Sequence, residues 1–173
     1  MFSQASNSYP IAYGDIIIRP LVIGDAPSLL QLYNIRSASS KRTFRALGGD
    51  TTDLAACDMV VAEASVGRTT IDLVAVDPDG KFVGWCFVWW LDKEENVFGL
   101  LVSDAIQGRG LGRKLSESVL AEMDARSISV VYLTVVTDND RAIHLYHSLG
   151  FGITGSFRGE DGLDYYRMQR EID

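Results

Sequence analysis

The chain has 173 residues, an apolar content of 47% and a formal net charge of −7. This composition is typical of one folded domain, and the negative charge argues against a protein that binds nucleic acid through a basic surface. No apolar run approaches the ~20 residues of a membrane helix and no signal-peptide pattern occurs. We therefore expect a cytoplasmic protein that makes no use of a membrane.

The first part of the chain predicts one strand and two helices. We expect a loosely ordered lead-in over residues 1–12, followed by a short β-branched strand over Asp15–Leu21. Asp25 can cap the helix that follows, in which apolar residues repeat at helical spacing. A second helix is predicted from about Thr52 to Ala64. The polar, basic stretch between the two helices, Ser37–Leu47, is left unassigned.

From Thr70 onwards the pattern changes to strands that alternate with helices. Ile71–Val76 and Phe82–Leu91 are predicted to form a hairpin, and Val97–Val102 a third strand. The remaining elements are a helix over 112–123, a buried strand over 130–136, a helix over 140–149 and two final strands near 151–157 and 163–169. This order predicts an α/β layer fold with a mixed sheet, in a single domain that spans residues 1–173.

A turn with three glycines, Gln107–Gly112, connects the third of these strands to a helix. Bare backbone N–H groups at a helix N-terminus can bind a diphosphate, and Arg109, Arg113 and Lys114 add positive charge beside them. The turn is not a dinucleotide fingerprint, because Arg113 stands where the last glycine would be. It is not a P-loop either, because no Lys-Ser or Lys-Thr pair follows Gly112. An ordinary tight turn without a ligand stays open as the alternative.

Two segments of the chain resemble motifs of the GNAT N-acetyltransferase superfamily. Val102–Arg113 resembles motif A, with its Gln/Arg-x-x-Gly-x-Gly/Ala core. Asn139–Phe151 resembles motif B in its asparagine, its tyrosine seven residues later and its closing Leu-Gly-Phe. The resemblance implies an α/β (α+β) single-domain fold with a central, mostly antiparallel sheet and about four helices. It also implies that acetyl-CoA is the cosubstrate and that its acetyl group passes to a primary amine of a small molecule or protein, by direct attack in a ternary complex.

The same resemblance implies roles for individual residues. The backbone of Leu100, Leu101 and Val102 would pair with the pantetheine arm of acetyl-CoA. The pyrophosphate would lie against Gln107, Gly108, Arg109, Gly110, Leu111, Gly112 and Arg113. Asn139 would contact the cofactor, with a helix N-cap as its alternative or additional role. Tyr146 is the catalytic candidate, because a phenol on the facing helix can protonate the departing thiolate, and packing on the sheet is its alternative role.

The resemblance does not supply a general base. Some relatives carry a glutamate where this chain has Thr134 or Phe98, and neither of these side chains can remove a proton from an amine. Asp92, Glu94 and Glu95 lie upstream of the third strand, and they would act through ordered water or form only a solvated turn. The base, the amine acceptor, the acyl-chain preference and the oligomeric state, a homodimer included, therefore stay open.

No metal is expected. Cys57 and Cys86 lie far apart, and His144 and His147 lack the partners of a known zinc motif, so we interpret them as buried thiols and solvated histidines. Two other functions stay open beside the transferase that uses acetyl-CoA. One is a non-catalytic module that binds acyl-CoA, and the other is a transferase that uses a different acyl-CoA.

Overall fold

The computed structural model describes residues 8–171, which form two antiparallel sheets. The strands are, in chain order, β1 (Ile11–Tyr13), β2 (Ile16–Pro20), β3 (Thr70–Val76), β4 (Phe82–Trp89), β5 (Val97–Val102), β6 (Val130–Val136), β7 (Gly152–Arg158) and β8 (Asp164–Glu171). The first five strands pair in the order β1-β2-β3-β4-β5, and the last three in the order β6-β8-β7. Every pairing between neighbouring strands is antiparallel.

Helices cover both faces of the five-stranded sheet. They are α1 (Ala26–Asn34), α2 (Ala38–Thr43), α3 (Leu54–Val66), α4 (Leu111–Ala125) and α5 (Asp140–Ser148), with a 3₁₀ turn over Asp104–Ile106. Helices α1 and α3 pack on one face and α4 on the other. None of the helices within residues 8–171 is long and apolar enough to cross a membrane.

The α/β class is confirmed, and the structure differs from the sequence expectations in three details. Residues 11 and 12 of the expected lead-in lie in β1, which pairs with β2, while residues 1–7 lie outside the described part of the chain. The unassigned basic stretch contains α2, one helix more than expected. The predicted single mixed sheet is divided, because β5 and β6 are neighbours without a continuous ladder between them.

The five-stranded sheet has a core on each face, because its central strands send alternate side chains to opposite sides. In β3, Leu73 and Ala75 belong to the apolar cluster that α4 covers, whereas Val74 and Val76 belong to the cluster beneath α1 and α3. This burial on both faces explains why the strand reads as an almost continuous apolar run.

The two sheets meet at one buried side chain. Asn96, which is 9% exposed and precedes β5, donates from Nδ2 to the carbonyl oxygen of Val130 at 2.8 Å. Its Oδ1 accepts a hydrogen bond from the backbone N–H of Tyr132 at 3.2 Å. Asn96 thus joins the beginnings of β5 and β6, and a cavity separates the two strands further along.

Candidate active site

A cavity of about 1210 Å³ lies between β5 and β6. One wall consists of β5, the glycine turn and the start of α4, and the opposite wall consists of β6 and α5. The rest of the lining, which we call the wide end, comes from α2 and the segment after it, the end of β4 and the connection between β7 and β8. All the residues that the family resemblance assigned to cofactor binding or catalysis line this cavity except Arg109.

Backbone groups of β5 face the cavity at alternate residues. The N–H of Ser103 donates to the carbonyl oxygen of Val83 at 2.9 Å, and the register between β4 and β5 is continuous from there. Residues that bond to the neighbouring strand alternate with residues that do not, so Leu101 bonds towards β4. Leu100 and Val102 direct their N–H and C=O groups to the cavity side. Of the three residues expected to pair with the pantetheine arm, Leu100 and Val102 therefore have backbone groups free on the cavity side, whereas those of Leu101 are bonded to β4.

The glycines of the turn serve different purposes. Gly108 and Gly110 have φ angles of 79° and 84°, a conformation that strains residues with a Cβ atom. A Cβ at Gly110 would also lie 2.6 Å from Tyr13 Oη. Gly112 has no left-handed backbone, and a Cβ there would make an ordinary contact at 3.4 Å with Leu100 Cδ2. Turn geometry accounts for the first two glycines but not for Gly112, which leaves room beside the cavity.

The N-terminus of α4 presents unpaired donors. Gly110 is its N-cap residue, and no side chain among residues 8–171 caps this end. The N–H of Lys114 bonds to the carbonyl oxygen of Gly110 at 3.1 Å. The N–H groups of Leu111, Gly112 and Arg113 precede this bond and have no partner within the helix. With the helix dipole, these groups form an anion-binding arrangement.

A cation from the opposite wall contacts the turn. Arg141 lines the cavity and donates to Gln107 Oε1 at 3.4 Å. Arg113, which the resemblance placed on the pyrophosphate, donates instead to Ser148 Oγ at 2.7 Å. Arg109 is exposed and its side chain lies outside the cavity. Arg141 was not predicted as a site residue, although its position in the first turn of the motif B helix places it close to Asn139.

Asn139 lies at the start of the motif B helix, where its two expected roles coincide. It is the N-cap of α5, and its Oδ1 accepts a hydrogen bond from the N–H of Ala142 at 3.3 Å. It also lines the cavity. The capping role is therefore present, and the cofactor role stays a prediction.

Tyr146 lies in an aromatic environment at the centre of the cleft. The residue is 8% exposed, and its ring centroid is 5.9 Å from that of Phe98 and 5.8 Å from that of Phe151. Burial raises the pKa of its phenol above the usual value, and Cys86 adds to the effect. Within the described residues its hydroxyl has no hydrogen-bond partner, and the residue lines the cavity. The phenol is therefore protonated at neutral pH, and its catalytic role stays a prediction.

The carboxylates considered as bases lie away from the cleft. None of Asp92, Glu94 and Glu95 lines the cavity, and Asp92 lies 3.7 Å from the Lys93 ammonium in an exposed turn. Thr134 does line the cavity, as the family's glutamate position would, but its hydroxyl is not a base at neutral pH. The structure thus provides no buried carboxylate on either strand position that the resemblance suggested.

Other side chains at the wide end of the cavity carry charge or aromatic surface. Glu160 and Asp161 reach it from the connection between β7 and β8, and Trp89 and Trp90 reach it from the end of β4. His144, interpreted from sequence as a solvated histidine, is exposed and also lines the cavity. No group of three or more His, Cys, Asp or Glu side chains arranged to hold a metal occurs in the described part of the chain.

Comparison with known proteins agrees with this architecture. Residues 33–151 match the family model described as the acetyltransferase (GNAT) family. N-alpha-acetyltransferase RimI of Mycobacterium tuberculosis is 38% identical over an alignment that covers 53% of this chain and 61% of that protein. The chain therefore spans less than two thirds of this relative's length.

Solved structures share the fold over nearly the whole chain. An acetyltransferase of the GNAT family from Streptococcus pneumoniae superposes with a TM-score of 0.76 at 26% identity, and the match covers 91% of this chain and 99% of that one. The structure of yncA from Salmonella typhimurium, solved with its cofactor acetyl-CoA, gives a TM-score of 0.73 at 24% identity and covers 92% and 95% of the two chains.

Proposed function

Because the chain belongs to the acetyltransferase (GNAT) family, we propose that it transfers the acetyl group of acetyl-CoA to a primary amine by direct attack in a ternary complex. The observation that carries the proposal is the N-terminus of α4, whose free N–H groups lie along the cavity beside Gly112 and Arg141. A diphosphate fits this arrangement, because the donors, the dipole and the guanidinium all favour negative charge. A neutral or cationic ligand would gain nothing from it.

The edge of β5 supports the position of the thioester. The N–H groups on the cavity side of Leu100 and Val102 can hydrogen-bond the amides of the pantetheine arm, as a neighbouring strand would. One of these donors can also stabilise the oxyanion that forms when the amine attacks the acetyl carbonyl carbon. As the C–S bond breaks, Tyr146 can protonate the departing thiolate. Burial keeps the phenol protonated at neutral pH, so it is available as a hydrogen-bond and proton donor to the sulfur, and water can return the proton to it afterwards.

The acceptor that we propose to test first is the α-amine of a peptide. The name of the Mycobacterium tuberculosis relative refers to N-alpha acetylation. The wide end of the cavity carries the carboxylates of Glu160 and Asp161, which attract an ammonium group, and also Arg42 and Arg45, which partly offset that attraction. An amine must lose a proton before it attacks, and no side chain of the described cavity is assigned to this step. We propose that water accepts this proton.

The experiment pairs two substitutions at one glycine. Gly112→Ala adds only a methyl group in ordinary contact with Leu100, so we expect it to bind acetyl-CoA within about threefold of the parent chain. Gly112→Asp adds a carboxylate at the diphosphate position, and we expect affinity to fall at least about a hundredfold by calorimetry. Gly110 is a poorer position for this test, since any side chain there strains the backbone and meets Tyr13.

Transfer is measured in parallel as CoA thiol release with a panel of α-amines, lysine peptides, polyamines and small amines. Equal affinities for the two Gly112 variants would contradict the phosphate site. Tight binding of acetyl-CoA without transfer to any amine would instead support the non-catalytic module, and faster transfer from a longer acyl-CoA would support a different acyl donor.

A further inference from the structure

Helix α2 forms part of the wide end of the cavity but has little to hold it there by itself. It is six residues long, ASSKRT, and none of its residues is buried. Its N-cap Ser37 accepts a hydrogen bond from the N–H of Ser40 at 3.2 Å. Helices shorter than ~12 residues are marginal in water, so contacts with the rest of the molecule must fix α2 in place.

One attachment of α2 is made by Asp104, in the 3₁₀ turn directly after β5. Its carboxylate accepts hydrogen bonds from the N–H of Ser37 at 3.0 Å, from Ser37 Oγ at 3.0 Å and from Ser40 Oγ at 2.5 Å. Partial burial acts to raise the pKa of Asp104, but the bonds from Ser40 and Ser37 outweigh it and bring this pKa below the usual value. The carboxylate is therefore ionised at neutral pH and serves as an acceptor only.

A second attachment joins α2 to the opposite wall of the cleft. Arg42 donates from both terminal nitrogens to Asp138, at 2.9 and 2.8 Å, and Asp138 follows β6 directly before Asn139. This pair is exposed on both sides, so solvent weakens it. The carboxylate of Asp104 is exposed as well, but it combines three donors from the start of α2. At the other end of the helix, the C-cap residue Phe44 packs its ring against Trp85 and Phe87.

Asp104 is itself connected to the glycine turn. Gln107 Nε2 lies 3.4 Å from Asp104 Oδ1 and 3.0 Å from the carbonyl oxygen of Val102. Gln107 Oε1 in turn accepts the bond from Arg141. The side chain that holds α2 is thus part of the same short network as the turn that faces the diphosphate position.

We propose that Asp104 is a positioning residue for the acceptor, which holds α2 over the wide end of the cavity and orders it together with the glycine turn. This proposal rests on the proposed function, in which that turn binds acetyl-CoA and the wide end receives the amine. It assigns to Asp104 no contact with either substrate. Its role is to keep Ser39, Ser40 and Arg42 at the cavity wall.

Limited trypsin digestion tests the attachment without any acceptor. Lys41, Arg42 and Arg45 provide cleavage sites in and after α2. We expect Asp104→Ala to speed cleavage there about tenfold, because the loss of hydrogen bonds to a charged group frees the helix to open. Asp104→Asn retains one acceptor oxygen and should give an intermediate rate. Asp92→Ala removes an exposed carboxylate outside the cavity and should leave the rate unchanged.

Saturating CoA extends the same assay. It should slow cleavage of the parent chain severalfold and have at most half that effect on Asp104→Ala, if the glycine turn and α2 are ordered together. Circular dichroism and thermal midpoints confirm that both Asp104 variants are folded. Cleavage of Asp104→Ala at the parent rate would overturn the proposal, and so would equal protection of the two proteins by CoA.

Kinetics give the complementary result. For any amine that the parent chain acetylates, Asp104→Ala should raise the amine KM about tenfold and leave the dissociation constant of acetyl-CoA within about twofold. Asp104→Asn should partly restore the KM. An equal loss of acetyl-CoA affinity would assign Asp104 to the cofactor site and overturn the proposal. If the parent chain acetylates no amine, the proposed function fails, and the digestion result still decides whether Asp104 holds α2.

Discussion

Tyr146 illustrates how a single side chain acquires a role from its surroundings. Its ring packs among Phe98 and Phe151, which would suit a core phenylalanine equally well. Its hydroxyl has no partner within the described residues, although the environment is apolar. The hydroxyl oxygen is not fully buried and opens on the cavity, so packing alone gives no reason for a polar group at this point of the wall. A role at the reacting sulfur does give one.

Replacement of Tyr146 by Phe should separate catalysis from packing. We expect kcat to fall about a hundredfold, because the thiolate loses its proton donor, while acetyl-CoA affinity and thermal midpoint stay close to the parent values. Stopped assays of thiol release, calorimetry and thermal unfolding measure the three quantities. Tyr132→Phe, on β6 and outside the cavity, is the matched control. An unchanged kcat would show that Tyr146 only packs.

Two arginines near the glycine turn should behave differently. Arg141 lies across the cleft with its guanidinium at the turn, whereas Arg113 is bonded to Ser148 and lies near Glu117. We expect Arg141→Gln to weaken acetyl-CoA binding about tenfold and Arg113→Gln at most about threefold, as measured by calorimetry at low and high salt. The loss of acetyl-CoA affinity in Arg141→Gln should be smaller at high salt, because salt screens the charge of the guanidinium. The reverse order of the two effects would restore Arg113 as the diphosphate contact.

At the scale of elements, the cleft depends on how β5 and β6 are joined. Asn96 satisfies a donor and an acceptor of β6 at the beginning of both strands, and no ladder continues beyond it. The Asn96 side chain thus takes the place of the first pair of backbone hydrogen bonds between the two strands. Its two hydrogen bonds bring the strands together at one end, and the cavity lies between them at the other.

Asn96→Ala should therefore affect both stability and binding. Loss of two bonds to buried backbone groups should lower the free energy of unfolding by about 2–4 kcal/mol and weaken acetyl-CoA affinity about tenfold. Asn34 offers a close control, because its side chain bonds Thr52 through both main-chain groups on the far side of the sheet. Asn34→Ala should lower stability similarly without a change in affinity. Equal affinities for the two variants would contradict this account.

The elements that could be predicted from the sequence are those that bury an apolar face. Periodic apolar residues predicted α4 and the strands β3 to β6, because each of these elements buries a face of its own. Helix α2 has no buried residue, so its sequence carries no apolar period. Its position depends on the distant carboxylates of Asp104 and Asp138 and on the packing of Phe44 directly after it. Strand β1 is too short for a pattern. In the site, the glycine turn was readable from its spacing, whereas the bond of Arg113 to Ser148 depends on packing between α4 and α5.

For the whole molecule, the two apolar clusters differ in chemistry. The cluster beneath α1 and α3 contains an ionisable neighbour, Asp72 on β3, which is 5% exposed. The indole N–H groups of Trp85 and Trp89 donate to its Oδ1 at 3.0 and 3.1 Å. Burial raises the pKa of Asp72 to about 6, although the two indole bonds act in the opposite direction. The stability of the whole fold should depend on pH through this carboxyl group.

The direction of that dependence follows from proton binding. Between pH 4 and 6 the folded chain retains the Asp72 proton that the unfolded chain has lost. The contribution of this group to the free energy of unfolding therefore falls as the pH rises through this range, and it is constant at higher pH. The difference between parent and Asp72→Asn isolates the contribution. We expect equal stability near pH 4 and a variant more stable by up to about 3 kcal/mol above pH 7, in denaturant titrations. Asp58→Asn, on the exposed side of α3, should show no such change, and a flat difference for Asp72→Asn would contradict the prediction.

The open backbone groups of β5 also bear on how the protein avoids unwanted association. An uncovered strand edge is normally a template on which another chain can add a strand, and proteins shield such edges with charge, bulges or covering segments. Here the edge is recessed, because α2, α5 and the connection between β7 and β8 stand around the cavity that it lines. These surrounding segments hinder another chain from adding a strand to β5, while the cavity leaves its backbone donors accessible.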